Sequence, residues 1–507
     1  MRRSAALFCV AAAVTVSLVF SASASAAGLL QISTDPFTIG PGQHATQVEP
    51  DSFAWGSTWI GVFQDGRIFN GGATDIGFSV SHDGGATFTT GTLPGTTVGS
   101  SPAGRYLAVS DASVAYDARD GVWLVSYLGV APGDRFQVDV LVSRSTDGGA
   151  TWGLPIVVAS NGDFFDKNWT TCDNFPTSPF FGHCYTEFDD VNQFDLEQLS
   201  TSTDGGLTWG APLHTPDLAL GLGGQPVVQP NGRVIVPFEG FNDTSLLIKS
   251  FSTENGGASL THSVLVATQF IHNPAGDLRG PQLPSGRIDG AGKVYVVWAD
   301  CRFEPGCTSL FNAGSEEDLV LSTSTDGRTW TSPARIPLDP VGSGVDHFLP
   351  GLGVDPATSG TSAHLALVYY YYPHGDCHTA TCQLDVGFSA SSDGGATWSP
   401  GSQIAGPMHL TWLPLTSQGY MVGDYFSTSF VNGLAYPVFA VASPPSGDVS
   451  SCFAATPHCN QAMFTVSGGL PAAAVTASAA RARLAVTRTK RVHVRARHRR
   501  VGLPTAR

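Results

Sequence analysis

Charge is scarce in this sequence: only 13% of its 507 residues are Asp, Glu, Lys or Arg. That excludes a coiled coil, a long-helix repeat protein and a disordered acidic polymer, all of which need more charge or more Ala, Leu, Glu and Lys. Basic residues are the scarcest. Lys and Arg total 26 against 41 Asp and Glu, with two at positions 2 and 3 and ten between Arg481 and Arg507. The middle therefore has 26 − 2 − 10 = 14 basic against 41 acidic residues, a balance of −27. Such a body has too little basic charge to displace counterions from phosphate, so no nucleic-acid partner is expected. There is no Cys-x-x-Cys pair, which argues against zinc. Past residue 20 no apolar run reaches the roughly 20 residues of a membrane span.

Turn formers are plentiful instead. Gly 59 and Pro 33 make 92 of 507 residues, about 18% where about 12% is usual. The length admits several domains or one large repeat-built domain, and a sizeable core.

Residues 1–27 have the layout of a secretory signal. Arg2 and Arg3 precede an apolar run from Ala5 to Phe20, and small residues follow, with Ala-Ser-Ala at 22–24 and 24–26. Cleavage is expected after Ala26 or Ala27, so the protein is expected to be secreted and extracellular. A membrane anchor is the rival, but the run is short for it. Eight cysteines remain beyond that point, an even number that in an exported chain reads as disulfides. They fall as close neighbours, predicting 172–184, 301–307, 377–382 and 452–459, each worth about 2–3 kcal/mol in the chain-entropy view.

One octapeptide recurs through the chain. It runs Ser81 to Phe88, Ser145 to Trp152, Ser202 to Trp209 and Ser391 to Trp398, with the common form Ser-x-Asp-Gly-Gly-x-Thr-Trp/Phe. A copy one residue shorter spans Ser324 to Trp330, and a decayed one starts at Ser252 and Glu254. The acidic positions 83, 147, 204, 254, 326 and 393 are 64, 57, 50, 72 and 67 residues apart. Asp-Gly between extended segments is a hairpin signal. The Asp can accept N–H bonds from its own turn, and Gly supplies positive φ without a clash. These Asp residues read as structural, consumed by their own turns.

A β-type run precedes each octapeptide, and further upstream lie runs such as Trp59 to Phe63, Trp123 to Tyr127 and Val294 to Trp298, with a first run such as Ser113 to Tyr116 before them. The expected fold is all-β: sheets of three or four strands at this period closing radially into a seven-bladed β-propeller over 28–470, with six blades as the alternative. From 471 to 507 an Ala- and Arg-rich basic tail should be disordered, its partner an anionic envelope polymer or none. A monomer is expected.

The repeats resemble the Asp-box, or bacterial neuraminidase repeat, of the sialidase superfamily, which implies a propeller whose octapeptides lie in outer turns away from the active site. Function is then expected on the opposite face, in the less repetitive loops. Second strands there are followed by Gln64-Asp65-Gly66-Arg67, Glu187 to Asp190, Glu239 and Asp300-Cys301-Arg302; first strands are preceded by Asp166-Lys167, Arg279, Asp346-His347 and Gly423-Asp424-Tyr425.

The resemblance implies three kinds of group. Arginines grip a substrate carboxylate, for which Arg67, Arg279 and Arg302 are the candidates. A carboxylic acid protonates the leaving oxygen, with Asp65 the candidate. Tyr425 is the candidate nucleophile, with Glu239 or Glu187 as its base. The family's Phe-Arg-Ile/Leu-Pro signature is missing, and Gly66-Arg67-Ile68-Phe69 stands nearest to it. The opposing reading makes Asp65–Arg67 and Asp300–Arg302 local ion pairs that order their loops. Tyr369 to Tyr372 should alternate between two sides of a sheet, packing between blades. Loops at Asp189-Asp190 and Glu316-Glu317-Asp318 could hold calcium, yet lack a known spacing, so no metal and no cofactor are expected. The functional expectation is a secreted sialidase-like glycoside hydrolase acting on acidic, sialylated glycans, with a non-catalytic glycan- or envelope-binding propeller as the alternative.

Overall fold

The computed structural model describes residues 28–37, 42–133, 136–242, 244–307, 316–446, 452 and 459–472. The predicted signal, and all but the first two residues of the predicted tail, lie outside the described residues. Apart from three short 3-10 segments, every regular element among the described residues is a β-strand, and all strand-to-strand pairing within the sheets is antiparallel.

The strands follow one another in groups of about four, each strand pairing with the next. The first group is Gln47–Trp55, Thr58–Arg67, Ala73–Ser81 and Thr89–Thr92. The second is Ala108–Asp117, Val122–Val130, Val138–Ser145 and Ile156–Ala159, tied to the first by the single pair Ala73 and Val109. The third is Phe165–Cys172, Cys184–Asp190, Leu196–Ser202 and Leu213–His214. In the fourth, two short strands, Gly221–Leu222 and Val227–Val228, share the partner Val234–Asn242, which leads to Ser245–Thr253 and Val264–Thr268. The fifth is Ser285–Ile288, Val294–Asp300, Asp318–Ser324 and Ala334–Arg335. The sixth is Asp346–Val354, Leu365–Tyr372, Gln383–Ser391 and Ser402–His409. The last takes Ser427–Val431, Leu434–Ala442 and Gln461–Val466 from the chain's end and Leu29–Gln31 from its beginning, so the two ends share one sheet.

First strands touch first strands. Gln47–Trp55 contacts Ala108–Asp117, which contacts Phe165–Cys172, and so on through Val227–Val228, Ser285–Ile288, Asp346–Val354 and Ser427–Val431, which contacts Gln47–Trp55 again. Alternation along each strand buries one side against the preceding group and the other against the following one. The run of tyrosines follows this rule. Tyr370 and Tyr372 join the core shared with the last group, while Tyr369 joins, and Tyr371 packs against, the core shared with the fifth.

The repeated octapeptides form near-identical turns. In the second, Ser145 Oγ donates to Asp147 Oδ1 at 2.8 Å, the Thr151 amide to Oδ1 at 2.9 Å and Thr151 Oγ1 to Oδ2 at 2.6 Å. The same three bonds occur around Asp83, Asp204 and Asp393. The decayed copy is displaced by one residue from the expected Ser252 and Glu254. Thr253 and Asn255 take the parts instead, with the Ser259 amide donating to Asn255 Oδ1 at 3.0 Å, because positive φ at Gly256 and Gly257 sets the register.

The second glycine of each turn closes a seam. A Cβ on Gly149 would stand 2.5 Å from Ile60 Cδ1, on Gly206 2.8 Å from Leu124 Cδ2, on Gly257 2.0 Å from Thr201 Oγ1 and on Gly395 2.7 Å from Leu321 Cδ2, always in the preceding group. Gly85 meets Tyr436 of the last group in the same way.

Four disulfides, 172–184, 301–307, 377–382 and 452–459, join the expected neighbours. No helix among the described residues is long and apolar enough to cross a membrane. One expectation is corrected. Asp65, Arg67, Glu187, Asp189, Glu239, Lys167 and His347 lie inside strands, not in loops. The strands outlast the apolar alternation because their polar ends are buried and stay hydrogen-bonded to neighbouring strands.

Candidate functional site

Four first strands carry a bulge at corresponding places, each with a non-glycine residue in the left-handed region: Glu49 at φ 52°, Asp111 at 50°, Lys167 at 48° and Leu349 at 49°. Left-handed backbone costs such residues of order 1–3 kcal/mol and persists only where the surroundings impose it. Here three of the four supply charged side chains that meet at one end of the ring of first strands.

Lys167 is the centre of that meeting. Its Nζ lies 2.5 Å from Asp424 Oδ2, 3.2 Å from Asp111 Oδ1 and 3.8 Å from Glu49 Oε1. Arg279 grips Asp424 with two bonds, Nε to Oδ1 at 2.6 Å and Nη2 to Oδ2. Glu49 Oε2 accepts from Gln64 Nε2, and Gln64 Oε1 in turn accepts from Arg67 Nη1 at 3.2 Å. The Tyr425 hydroxyl faces Asp111 Oδ1 at 3.4 Å, its ring stands edge-on to Trp169 at 5.1 Å, and Lys167 Nζ lies 5.7 Å from its centroid.

Burial and neighbouring charge divide these groups. Burial, with Asp111 and Asp424 nearby, pushes Glu49 up to about 8 despite Lys167 and Arg279, so it is a neutral acid near pH 7. Burial also works against ionised Asp424, but Arg279 and Lys167 hold it well below the usual carboxylate range. Burial opposes the charge on Lys167, and the carboxylates around it keep it protonated. Tyr425 is driven well above the usual phenol value by burial and then by Asp111 and Glu49. Asp166 is raised to about 6 by burial, with Lys167 opposing.

Two cavities flank the cluster. One, of about 860 Å³, is bordered by Asp166, Lys167, Leu222, Arg279, Gln418 and Asp424 among others. The other, of about 220 Å³, lies within the ring of first strands and takes lining from Asp51, Val114, Trp169, Val227, Arg287, Val354 and Phe430. Tyr425 contacts Lys167, on the first cavity, and Trp169, on the second, and lines neither.

Of the residues picked from sequence, the structure brings Tyr425, Arg279 and Arg67 to this cluster. Arg67 is buried and within the electrostatic reach of Glu49, Arg279, Asp424 and Asp111. Asp65 is shut in beside Gln47, whose Nε2 donates to it at 3.1 Å. Arg302 is turned to its own loop, on Asp300 at 2.7 Å and over Phe270 at 5.5 Å. Glu239 is in the fourth group, paired across strands with Leu222 and Ile248, and burial lifts it to about 7. Glu187 is buried in the third group. Sequence reasoning missed Glu49 and Asp111 and placed Lys167 and Asp424 only as loop residues. No pattern in the sequence marked them, because Glu49, Asp111 and Lys167 sit at bulges inside first strands, where the pairing register shifts.

Among the described residues Asp318, Asp339 and His347 bring possible metal-ligand atoms within 4.8 Å of one another. Arg335 already occupies both carboxylates, at 2.6 Å and 2.9 Å, so a cation is supplied by the protein.

No family model matches the chain, and no curated protein is similar to it in sequence. Solved structures are similar to it in fold. A polysaccharide lyase, the PL25 ulvan lyase, is 11% identical with a TM-score of 0.50 over 88% of this chain and 96% of that one. Hadza microbial sialidase Hz136 is 15% identical with a TM-score of 0.43 over 77% and 72% of the two chains. The intramolecular trans-sialidase from Ruminococcus gnavus is 13% identical with a TM-score of 0.40 over 80% and 92%. These are glycan-active enzymes, and the likeness is one of fold, which does not fix function.

Proposed function

We propose that this chain is a secreted Asp-box propeller of seven blades, sialidase-like, that hydrolyses acidic glycans at the charged cluster beside the larger cavity. The blade count is supported by the closed round of contacts between first strands, and the Asp-box reading by the repeated turns around Asp83, Asp147, Asp204 and Asp393. Secretion rests on residues 1–27 and on four disulfides.

The function rests on one observation: a tyrosine hydroxyl facing a carboxylate, 3.4 Å apart, with its ring 5.7 Å from Lys167, which together with Arg279 borders the cavity. In this reading Lys167 and Arg279 hold the substrate carboxylate. Tyr425 attacks the anomeric carbon while Asp111 takes its proton, and Glu49, neutral near pH 7, gives a proton to the leaving oxygen. Water then releases the sugar from the tyrosine. Asp111 takes the role expected of Glu239, and Glu49 that expected of Asp65, because they lie with the cations.

The test is turnover of a fluorogenic sialoside by the purified protein. Product is expected, and Tyr425→Phe is expected to abolish it, while Glu49→Gln lowers kcat by about 10²–10⁴. A second reading, a non-catalytic glycan binder, is favoured by one feature: Arg279 is already engaged by Asp424 with two bonds, and Tyr425 is only 7% exposed. Absence of product from both sialosides and uronate polysaccharides, with glycan retained on an array, would establish that reading instead.

A further inference from the structure

The smaller cavity has apolar walls and one charged end. Its walls come from Val114, Val227, Val354 and Phe430, on four different first strands. Trp169 closes the end toward the hub cluster, its ring 5.1 Å from that of Tyr425, and Arg287 lies over Trp169 with Cζ 5.8 Å from the ring centroid. The other end opens on the face of the repeated turns. Trp55, 42% exposed, borders the cavity there. The turn that follows Trp55 is tied to the first octapeptide, the Gly84 amide donating to Ser57 O at 3.0 Å.

Arg287 is held by one side of its guanidinium. Nη1 donates to Gln225 Oε1 at 3.0 Å and to Gly286 O at 2.8 Å. Nη2 has its nearest carboxylate oxygen, Asp51 Oδ1, at 3.9 Å, beyond hydrogen-bond length. Asp51 is engaged elsewhere, since its Oδ2 accepts from the Ser113 hydroxyl at 3.1 Å and the Val114 amide at 2.9 Å. Burial raises its carboxyl above the usual range, with Arg287 opposing, so a proton can rest there beside a second carboxylate. A guanidinium with one nitrogen unpaired, at the end of an apolar channel, suits a carboxylate that carries an apolar body. The planar fork matches the carboxylate, and the walls take the body out of water.

We propose that this channel binds a small monocarboxylate, its carboxylate on Arg287 and its apolar body between the first strands toward Trp55. The volume sets the size. An apolar cavity of about 150 Å³ takes benzene, so one of about 220 Å³ admits a body of about six carbons with the carboxylate attached. Neither Lys167 nor Arg279 borders this channel, so the site goes beyond the hydrolysis proposed above and does not depend on it.

Titration calorimetry on the full chain tests this with three probes: hexanoate, hexanol, which lacks the charge, and acetate, which lacks the body. Hexanoate is expected to bind and to raise the unfolding temperature, as any ligand of the folded state does. Hexanol and acetate should each bind at least about tenfold more weakly. Arg287→Met should weaken hexanoate by at least about tenfold. Ala54→Phe, which fills the mouth beside Trp55, should abolish its binding, whereas Gln418→Trp, at the exposed rim of the larger cavity, should leave it unchanged. A cooperative unfolding transition shows that each variant is folded, and the comparison of the three probes needs no variant. Hydrolysis is not read, so the outcome is separate from the fate of the glycosidase proposal. The proposal is overturned if hexanoate does not bind, or if acetate or hexanol equals it. It is also overturned if folded Arg287→Met or Ala54→Phe binds hexanoate as the parent does, or if Gln418→Trp loses it, which would put the carboxylate on Lys167 and Arg279.

Discussion

Lys167 shows how much can depend on one side chain. It is the only ammonium among three buried carboxylates, at 2.5, 3.2 and 3.8 Å. Removing one partner of a buried ionic group costs about 3–5 kcal/mol, because the other charges are left uncompensated. Lys167→Met is therefore expected to lower unfolding free energy by about that much in denaturant titration, and a loss below 1 kcal/mol would mean the cluster is already neutral. The glycines separate two penalties. Gly149 has φ +89° and Ile60 against it, whereas Gly56 has φ +61° and open space. Gly149→Ala should cost about 2–3 kcal/mol and Gly56→Ala about 1 kcal/mol. Equal costs would show that the seam yields. At this scale the sequence was partly legible. Tyr425 and Arg279 could be picked because their chemistry is distinctive and they precede a strand. Glu49 and Asp111 could not, since only the bulge turns them toward Lys167, and a bulge leaves no mark on alternation.

The repeated turn is the element whose behaviour was most readable in advance. Its bonds are local, so eight residues contain nearly everything needed to form it. Asp147 is held down to about 2 by the Thr151 hydroxyl and amide and by Ser145. Asp147→Ala removes those bonds and should cost about 1–2 kcal/mol, the loss typical of a capping side chain. Faster amide exchange should follow in the seam between Ile60 and Gly149, and unchanged exchange there would separate the turn from the seam. The decayed copy was misread by one residue, because Glu254 resembles Asp in charge while Asn255 matches it in shape and reach. Strand ends were less legible. Polar residues such as Asp65 and Glu187 read as loop, and only contacts between groups reveal that they are buried.

At the scale of the whole molecule, buried acids set the response to pH. Burial lifts Glu49 and Glu197 to about 8 and Asp75 and Glu239 to about 7. In the unfolded chain each would lose its proton near pH 4. The folded state thus holds more protons between roughly pH 4 and 8, and its stability falls as pH rises through that window. Calorimetry should find a higher unfolding temperature at pH 5.5 than at pH 8. The opposite slope would show these acids ionised in the folded protein. The all-β class, the groups of strands and the disulfide pairing could be inferred because they follow from period and spacing. The strand borrowed from the chain's beginning could not, since Leu29–Gln31 is too short to announce itself.

That borrowed strand bears on how the molecule is made. Leu29–Gln31 pairs with Phe464 to Val466, more than 400 positions later. During synthesis the opening segment must wait, without its partner, until nearly the whole body has emerged. Completion is therefore a late event, and a nascent chain arrested before residue 461 should remain open to proteases however well its earlier sheets have formed.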